Sequence, residues 1–402
     1  MTSPVCARQD SFLHRSAVIG PLLAVVALVV VWGRHLPAVV DVVVILLLAG
    51  SVLAAVHHAE VVAHRVGEPF GSLILAVAVT IIEVGLIITL MVSDSTGAAS
   101  LARDTVFAAV VITCNGVTGL CLLVTALRHR IAVFNAEGTG AALATVITLA
   151  TLSLVLPTFT TSSPGPQFTG PQLAFAAVAS LALYALFVVV QNVRHRDYFL
   201  PVTDTVTNST VSSTAPVPGT DAASRTPPAA PIADDGGEPE GAGQEHAAAP
   251  SPGRALISLA LLLTALTAVV GLAKVESATI EAVATDAGLP QSVVGVVIAL
   301  LILLPETLAA LRNARRDRVQ ISLNLALGSA MASIGLTIPA IAIASIWLDG
   351  PLLLGLGPTQ IVLLALTAGV GVLTVMPGRA TLLHAAVHLA ICAAFFVLAT
   401  NP

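Results

Sequence analysis

Eleven runs of mostly apolar residues divide the chain, at roughly 16–33, 38–57, 70–92, 104–127, 138–157, 171–193, 254–273, 290–311, 319–346, 351–376 and 379–398. Each approaches or exceeds the ~20 residues that a helix needs to cross the hydrocarbon layer of a bilayer. Between the sixth and seventh runs the pattern stops. Residues 200–253 are dense in Pro, Thr, Ser, Ala and Gly with few large apolar side chains, a composition that cannot build a core and predicts a disordered linker. The pattern predicts an all-α polytopic membrane protein of about 11 transmembrane helices.

Charge gives these spans a direction. Counted loop by loop, 14 of the 17 Lys and Arg residues fall on the side of the amino terminus and the linker, and only Arg34, Arg103 and Lys274 fall on the other. Positive loops stay inside, so the amino terminus and the linker are expected in the cytoplasm and the carboxyl terminus outside, in a bacterial cytoplasmic membrane. The first run follows Arg8 and Arg15 and imitates a signal peptide, but without a clear small-residue cleavage site it reads as a retained first span.

One short phrase occurs twice. EVVAHRVGEP, Glu60 to Pro69, returns as EAVATDAGLP, Glu281 to Pro290, with Glu, Val, Ala, Gly and Pro in register. The first copy is expected in a cytoplasmic connection before the third span, the second in an external connection before the eighth. Five spans separate the copies, an odd number, so the chain divides into an extra amino-terminal helix (1–37), a first five-helix repeat (38–199), the linker (200–253) and a second repeat of opposite topology (254–402). Inverted repeats of this kind mark secondary transporters.

Each copy is followed by an acid inside an apolar run: Glu83 in GSLILAVAVTIIEVGLIITLM and Glu306 in VVGVVIALLILLPETLAALRNARR. A charged side chain at the centre of a membrane helix costs about 2.5–3.5 kcal/mol on the insertion scale, so such residues face a cavity and a partner. Glu306, closer to the cytoplasmic end, could also pair with Arg312. Pro305 removes a backbone donor and is expected to break the helix and free a carbonyl one turn earlier. The next span in each half adds neutral oxygen, Asn115 in the first and Asn324, Ser329 and Ser333 in the second, and Gly116, Gly119, Gly328 and Gly335 permit close helix approach.

Two carboxylates, two amides and freed carbonyls make an all-oxygen site suited to a hard cation, with Glu83 and Glu306 as its metal ligands. No Cys or His lies near these acids in sequence, which argues against copper or zinc. A proton and a cation would compete for the same carboxyl oxygens, the chemistry of a cation/proton antiporter.

At these residues the sequence resembles the cation/proton exchangers of the calcium:cation antiporter superfamily, most of all the bacterial calcium/proton antiporters of the Cha type. The stretches that carry the resemblance are HAEVVAHRVGEPFGSLILAVAVTIIEV, CNGVTGLCLL and LLPETLAALRNARRDRVQISLNLALGSAMASIGLTIP. The resemblance implies eleven spans, calcium export against proton entry, and an exchange site formed by Glu83 and Glu306 and lined by Asn115, Asn324 and Ser329; Thr80, three residues before Glu83, is a further candidate for that site. Sodium or potassium replaces calcium in some members of that branch. The plant and fungal branch has a His after its second acid where this chain has Thr307, so that branch's selectivity does not carry over.

Composition narrows the alternatives. With 56% hydrophobic and 10% charged residues and a mean hydropathy of +0.96, the chain cannot cover a soluble globule of its size, and lipid is its solvent. A formal charge of -5 gives no footprint for nucleic acid. Cys6, Cys114, Cys121 and Cys392 are scattered without metal spacing and read as small apolar side chains. Glu60, His64 and Glu281 are candidates for a gate or entrance. Asp234, Asp235, Glu238 and Glu240 form an acidic tract in the linker that a regulatory cation could use, although its spacing is not that of an EF-hand loop. The pairs His57 and His64, and His384 and His388, offer a remote alternative, an intramembrane haem or metal oxidoreductase. The expected partners are inorganic cations, protons and the bilayer, with no resident cofactor. The oligomeric state stays open, a homo-oligomer included.

Overall fold

The computed structural model describes residues 4–34, 37–67, 70–92, 98–201, 251–290, 292–347 and 350–401. The acidic tract and nearly all of the expected linker lie outside the described residues, as does the side chain of Glu281.

The described chain is almost wholly helical. Its elements are α1 (Pro4–Val31), α2 (Ala38–Val66), α3 (Phe70–Met91), α4 (Ala98–Val111), α5 (Thr118–His129), β1 (Ile131–Val133), α6 (Ala136–Ala150), α7 (Leu156–Phe159), α8 (Gly170–Val189), α9 (Pro252–Asp286), α10 (Ser292–Arg315), α11 (Val319–Ala344), α12 (Pro358–Val375), β2 (Arg379–Thr381) and α13 (Leu382–Thr400). A π-helical turn, Ile112–Val117, joins α4 to α5 without a break, and a second, Thr151–Val155, joins α6 to α7. A third, Val190–Arg194, ends α8 and runs into a 3₁₀ turn, Arg196–Phe199. Counting the joined pairs once, eleven long helices stand where the apolar pattern put eleven spans. Nine of them are long and apolar enough to cross a membrane by length and composition, and α1 and α3 contribute the shorter apolar stretches Ala17–Val31 and Ala76–Thr89.

The ends of the helices follow local chemistry. The repeated phrase, expected in connections, forms the closing turns of α2 and α9: Gly67 (φ +78°) and Gly288 (φ +66°) sit just past the last turn in the left-handed region, and a Pro follows two residues later. This Gly-then-Pro ending satisfies the final carbonyls without a Cβ clash and prevents continuation. The expected span at 351–376 starts later, at Pro358, where a proline in the first turn costs no hydrogen bond. Pro305 does not end a helix: α10 runs uninterrupted from Ser292 to Arg315 around it. The proline still leaves the carbonyl four residues earlier without its helical donor.

Two ends of the bundle can be told apart by what meets there. At one, β1 pairs antiparallel with β2, Ile131 opposite Thr381, and His129 Nε2 meets Asp317 Oδ1 at 2.7 Å. This hydrogen bond holds the exposed Asp317 carboxyl below its ordinary range. The chain leaves for the linker from this end. At the other, the Leu353 amide donates to the Ala99 carbonyl (2.9 Å), the Gly355 amide to Pro166 (2.9 Å) and Ser292 Oγ to the Ala399 carbonyl (3.2 Å).

Two backbones also approach closely at that opposite end. A Cβ on Gly295 of α10 would lie 3.0 Å from the Thr105 nitrogen and 3.1 Å from Asp104 atoms of α4. A methyl group there would have to push the two helices apart by a few tenths of an ångström.

Candidate functional site

Between α3, α8, α10 and α11 lies a cavity of about 410 Å³. Thr80 and Glu83 of α3, Glu306 of α10, and Asn324, Ser329 and Ser333 of α11 line it. Gln191 and Asn192, in the π turn that ends α8, also line it, so the cavity runs from the paired acids toward the linker end.

Glu83 is 2% exposed and is the only charged residue of α3. Ser333 Oγ donates to its Oε1 at 2.5 Å, and Thr337, one turn further along α11, is fully buried beside it. Thr80 Oγ1 is bonded back to the Ala76 carbonyl at 2.8 Å, which turns a hydroxyl oxygen toward the cavity without breaking the helix. Glu306 is partly buried, and its Oε2 is shielded from solvent with no hydrogen-bond partner. The two carboxyl groups are near enough for their charges to interact. Two helices on opposite sides of the linker thus deliver one acid each to one space.

The α11 contribution follows from its sequence. Gln320, Asn324 and Gly328 recur at intervals of four, as do Ser329, Ser333 and Thr337, and residues four apart share a helix face. Two polar stripes therefore run along an otherwise apolar helix. Gly328 has no atom within 4 Å of where a Cβ would stand. It faces the cavity and does not serve the helix packing expected of it.

Asn324 is held at the wall by a relay. Its Nδ2 donates to the Phe199 carbonyl in the 3₁₀ turn at 2.6 Å, and its Oδ1 accepts from Gln320 Nε2 at 2.8 Å. Gln320 is 1% exposed; its Nε2 also reaches Thr139 Oγ1 at 3.2 Å, and its Oε1 accepts from the Asn135 amide at 2.6 Å. Replacing Gln320 by Ala would orphan several buried groups at ~1–3 kcal/mol each. The expected result is a fall in stability of about 2 kcal/mol or more by that same estimate, read as a lower unfolding midpoint in detergent.

The structure does not bring Asn115 to the cavity. The Ile112–Val117 π turn points it between α12 and α13, where Nδ2 donates to Thr367 Oγ1 at 2.8 Å and Oδ1 accepts from His388 Nδ1 at 3.1 Å. Thr374 Oγ1 reaches His388 Nε2 at 3.1 Å, so both ring nitrogens of His388 are engaged. His384 Nδ1 accepts from the Thr381 amide at 3.2 Å and caps α13. The His384 and His388 pair is thus committed to structure, which removes the support for a haem site there. Among the described residues no group of three or more His, Cys, Asp or Glu could hold a metal, and Cys114, Cys121 and Cys392 are buried free thiols.

Glu60 and His64 lie one turn apart at the end of α2, exposed, with Glu60 in electrostatic reach of His64 and Arg312. Neither lines the cavity. Glu281 lies in the closing turns of α9. Reading for acids passed over Gln191 and Asn192, which line the cavity, and Gln320 and Thr337, which stand behind Asn324 and beside Glu83; the four-residue polar spacing on α11 is the signal that marks the last two.

The family model of the sodium/calcium exchanger protein matches residues 36–193 and 257–401, the two blocks that supply Glu83 and Glu306. The chain belongs to this family. A putative ionic transporter of Sinorhizobium fredii is 44% identical over 356 residues, 89% of this chain and 87% of that one. The sodium-potassium/proton antiporter ChaA of Escherichia coli is 29% identical over 386 residues, 95% of each chain. In fold, the structure of native YfkE aligns at a TM-score of 0.64 with 16% identity, covering 96% of this chain and 99% of that one. The H+/Ca2+ exchanger CAX aligns at 0.60 with 16% identity, covering 97% and 93%. This member of the exchanger family is a polytopic membrane protein and a secondary transporter, a cation antiporter and not an enzyme.

Proposed function

We propose that this exchanger exports calcium from the cytoplasm in exchange for protons, with Glu83 and Glu306 as the groups that bind the two alternately. The observation that carries the proposal is the single cavity flanked by both acids and by the hydroxyls of Thr80, Ser329 and Ser333. Such a set of hard oxygens with flexible spacing suits calcium better than magnesium, which demands a tight octahedron. The same carboxyl oxygens take either the cation or protons, and that exclusion couples the two fluxes. The direction toward which the cavity runs, with the distribution of Lys and Arg, supports a state open to the cytoplasm, the amino terminus and linker inside and the carboxyl terminus outside.

The division into an extra helix, 38–199, the linker and 254–402, with the two halves inverted, is supported by the phrase that closes both α2 and α9. These helices occupy the same rank in the two halves and end at opposite ends of the bundle. Alternating access would then follow from motion of one set of helices against the other around Glu83 and Glu306. Glu60 and His64 would flank the cytoplasmic entrance, and Asp234, Asp235, Glu238 and Glu240 of the linker would offer carboxylate oxygens to a regulatory cation.

A second reading, sodium or potassium in place of calcium, is favoured by the 29% identity to ChaA across 95% of both chains. Everted membrane vesicles with an imposed proton gradient separate the two. Addition of calcium is expected to dissipate the gradient, whereas sodium and potassium leave it standing. Dissipation by sodium or potassium alone would replace calcium in the scheme, and no response to any of the three would overturn the proposal.

A further inference from the structure

Two further acids come near each other where α2 packs on α9, and neither lines the cavity. Glu276 of α9 is fully buried, and neither of its carboxyl oxygens has a hydrogen-bond partner. Asp41, in the first turn of α2, has its Oδ1 buried and likewise unpartnered. α2 packs along α9, and the two acids are close enough to repel.

Their place in the bundle follows from helix geometry. α9 leaves from the linker end at Pro252 and reaches Glu276 after 24 residues, about 36 Å at 1.5 Å per residue. Glu276 closes the spanning stretch Pro252–Glu276. α2 approaches the linker end at Glu60, near Arg312, so Asp41, some 28 Å back along the same helix at that rise, also lies at the opposite end.

Ordinary explanations do not account for the pair. An acid in the first turn of a helix is commonly held by the free amides there, but Asp41 Oδ1 accepts from none of them. A buried carboxylate without a hydrogen-bond partner is among the most costly arrangements a protein can hold, and the partly buried Asp41 beside Glu276 adds repulsion.

We propose that Asp41 and Glu276 form a second cation site, distinct from the Glu83 and Glu306 site and at the opposite end of the bundle, that takes one divalent hard cation. Four carboxylate oxygens and no His or Cys select a hard ion. They supply fewer than the 6–8 oxygens that calcium takes, so water at the membrane surface completes the shell. Such a half-hydrated station suits an ion passing between the bundle and the external solution.

The test counts ions and does not depend on transport. Radioactive calcium bound per purified full-length protein is measured by equilibrium dialysis at mildly alkaline pH, in the Glu306→Gln background that disables the central site. Adding Glu276→Gln is expected to remove one bound ion, and adding Asp41→Asn instead should remove the same one. Circular dichroism and gel filtration establish that each variant is folded. Equal binding with and without these changes in folded protein would overturn the site. So would loss of a protonated-carboxyl infrared band in Glu276→Gln with no loss of calcium, because a proton would then be the occupant. Failure of calcium to dissipate a proton gradient would count against the exchange reading and leave this result untouched.

Discussion

Glu83→Gln and Glu306→Gln are each expected to reduce proton-coupled cation exchange by about 100-fold or more while the protein stays folded. An amide keeps the size of the carboxyl group but neither carries the exchanged proton nor offers a negative charge. A unit charge 4 Å from a cation contributes about 4 kcal/mol at an effective dielectric of 20, and each 1.36 kcal/mol is tenfold, so losing one acid is enough to empty the site at working concentrations. Stability should hold or rise, because a buried charge is removed and the amide oxygen can still accept from Ser333. Ser333→Ala should be milder, since a hydrogen bond to a charged group is worth about 1.5–3 kcal/mol. Vesicle exchange assays and thermal melts on the same preparations check the set; a Glu306→Gln protein that exchanges normally would remove Glu306 from the mechanism.

The second large effect separates two glycines seven residues apart on α11. Gly335→Val should destabilise by several kcal/mol, since a Cβ there would stand 2.6 Å from Tyr184 Cβ of α8 and overpacking costs ~1–3 kcal/mol even where neighbours can shift. Gly328→Val should fold normally, because nothing lies within 4 Å of the new atom, yet it projects into the cavity beside Ser329 and should cut transport at least about tenfold, a barrier change of ~1.4 kcal/mol. Melting temperature and exchange rate are therefore expected to move in opposite members of the pair. Equal melting temperatures would mean that α8 and α11 are not in close contact at Gly335.

Much of this arrangement was legible in the chain. Runs of apolar residues long enough for a bilayer located all eleven long helices, because in lipid a backbone has to satisfy its own hydrogen bonds and a helix is how it does so. Isolated acids in such runs had to share a polar space, and Glu83 and Glu306 do line one cavity. What the sequence did not reveal depends on a rotation or on distant backbone. The π turn at Ile112–Val117 inserts a residue that no composition announces and swings Asn115 away from the acids into the network of Thr367 and His388. Pro305 was expected to interrupt its helix, yet tertiary packing carries α10 through it. The partner of Asn324 is a main-chain carbonyl 125 residues away, and carbonyls are the same in every sequence. Asp41 and Glu276 stand near helix ends, where acids are ordinary, and only their shielded, unpartnered carboxyl oxygens distinguish them.

The short ladder between β1 and β2 has a consequence for the wholeness of the chain. It stitches the connection before α6 to the connection before α13, while α2 lies along α9, α4 along α10 and α8 along α11. The segments before and after the linker are interleaved like the fingers of clasped hands. A single nick anywhere between residues 201 and 251 would therefore yield two polypeptides but still one particle, since neither piece can withdraw without unzipping the ladder and stripping its helices from the other.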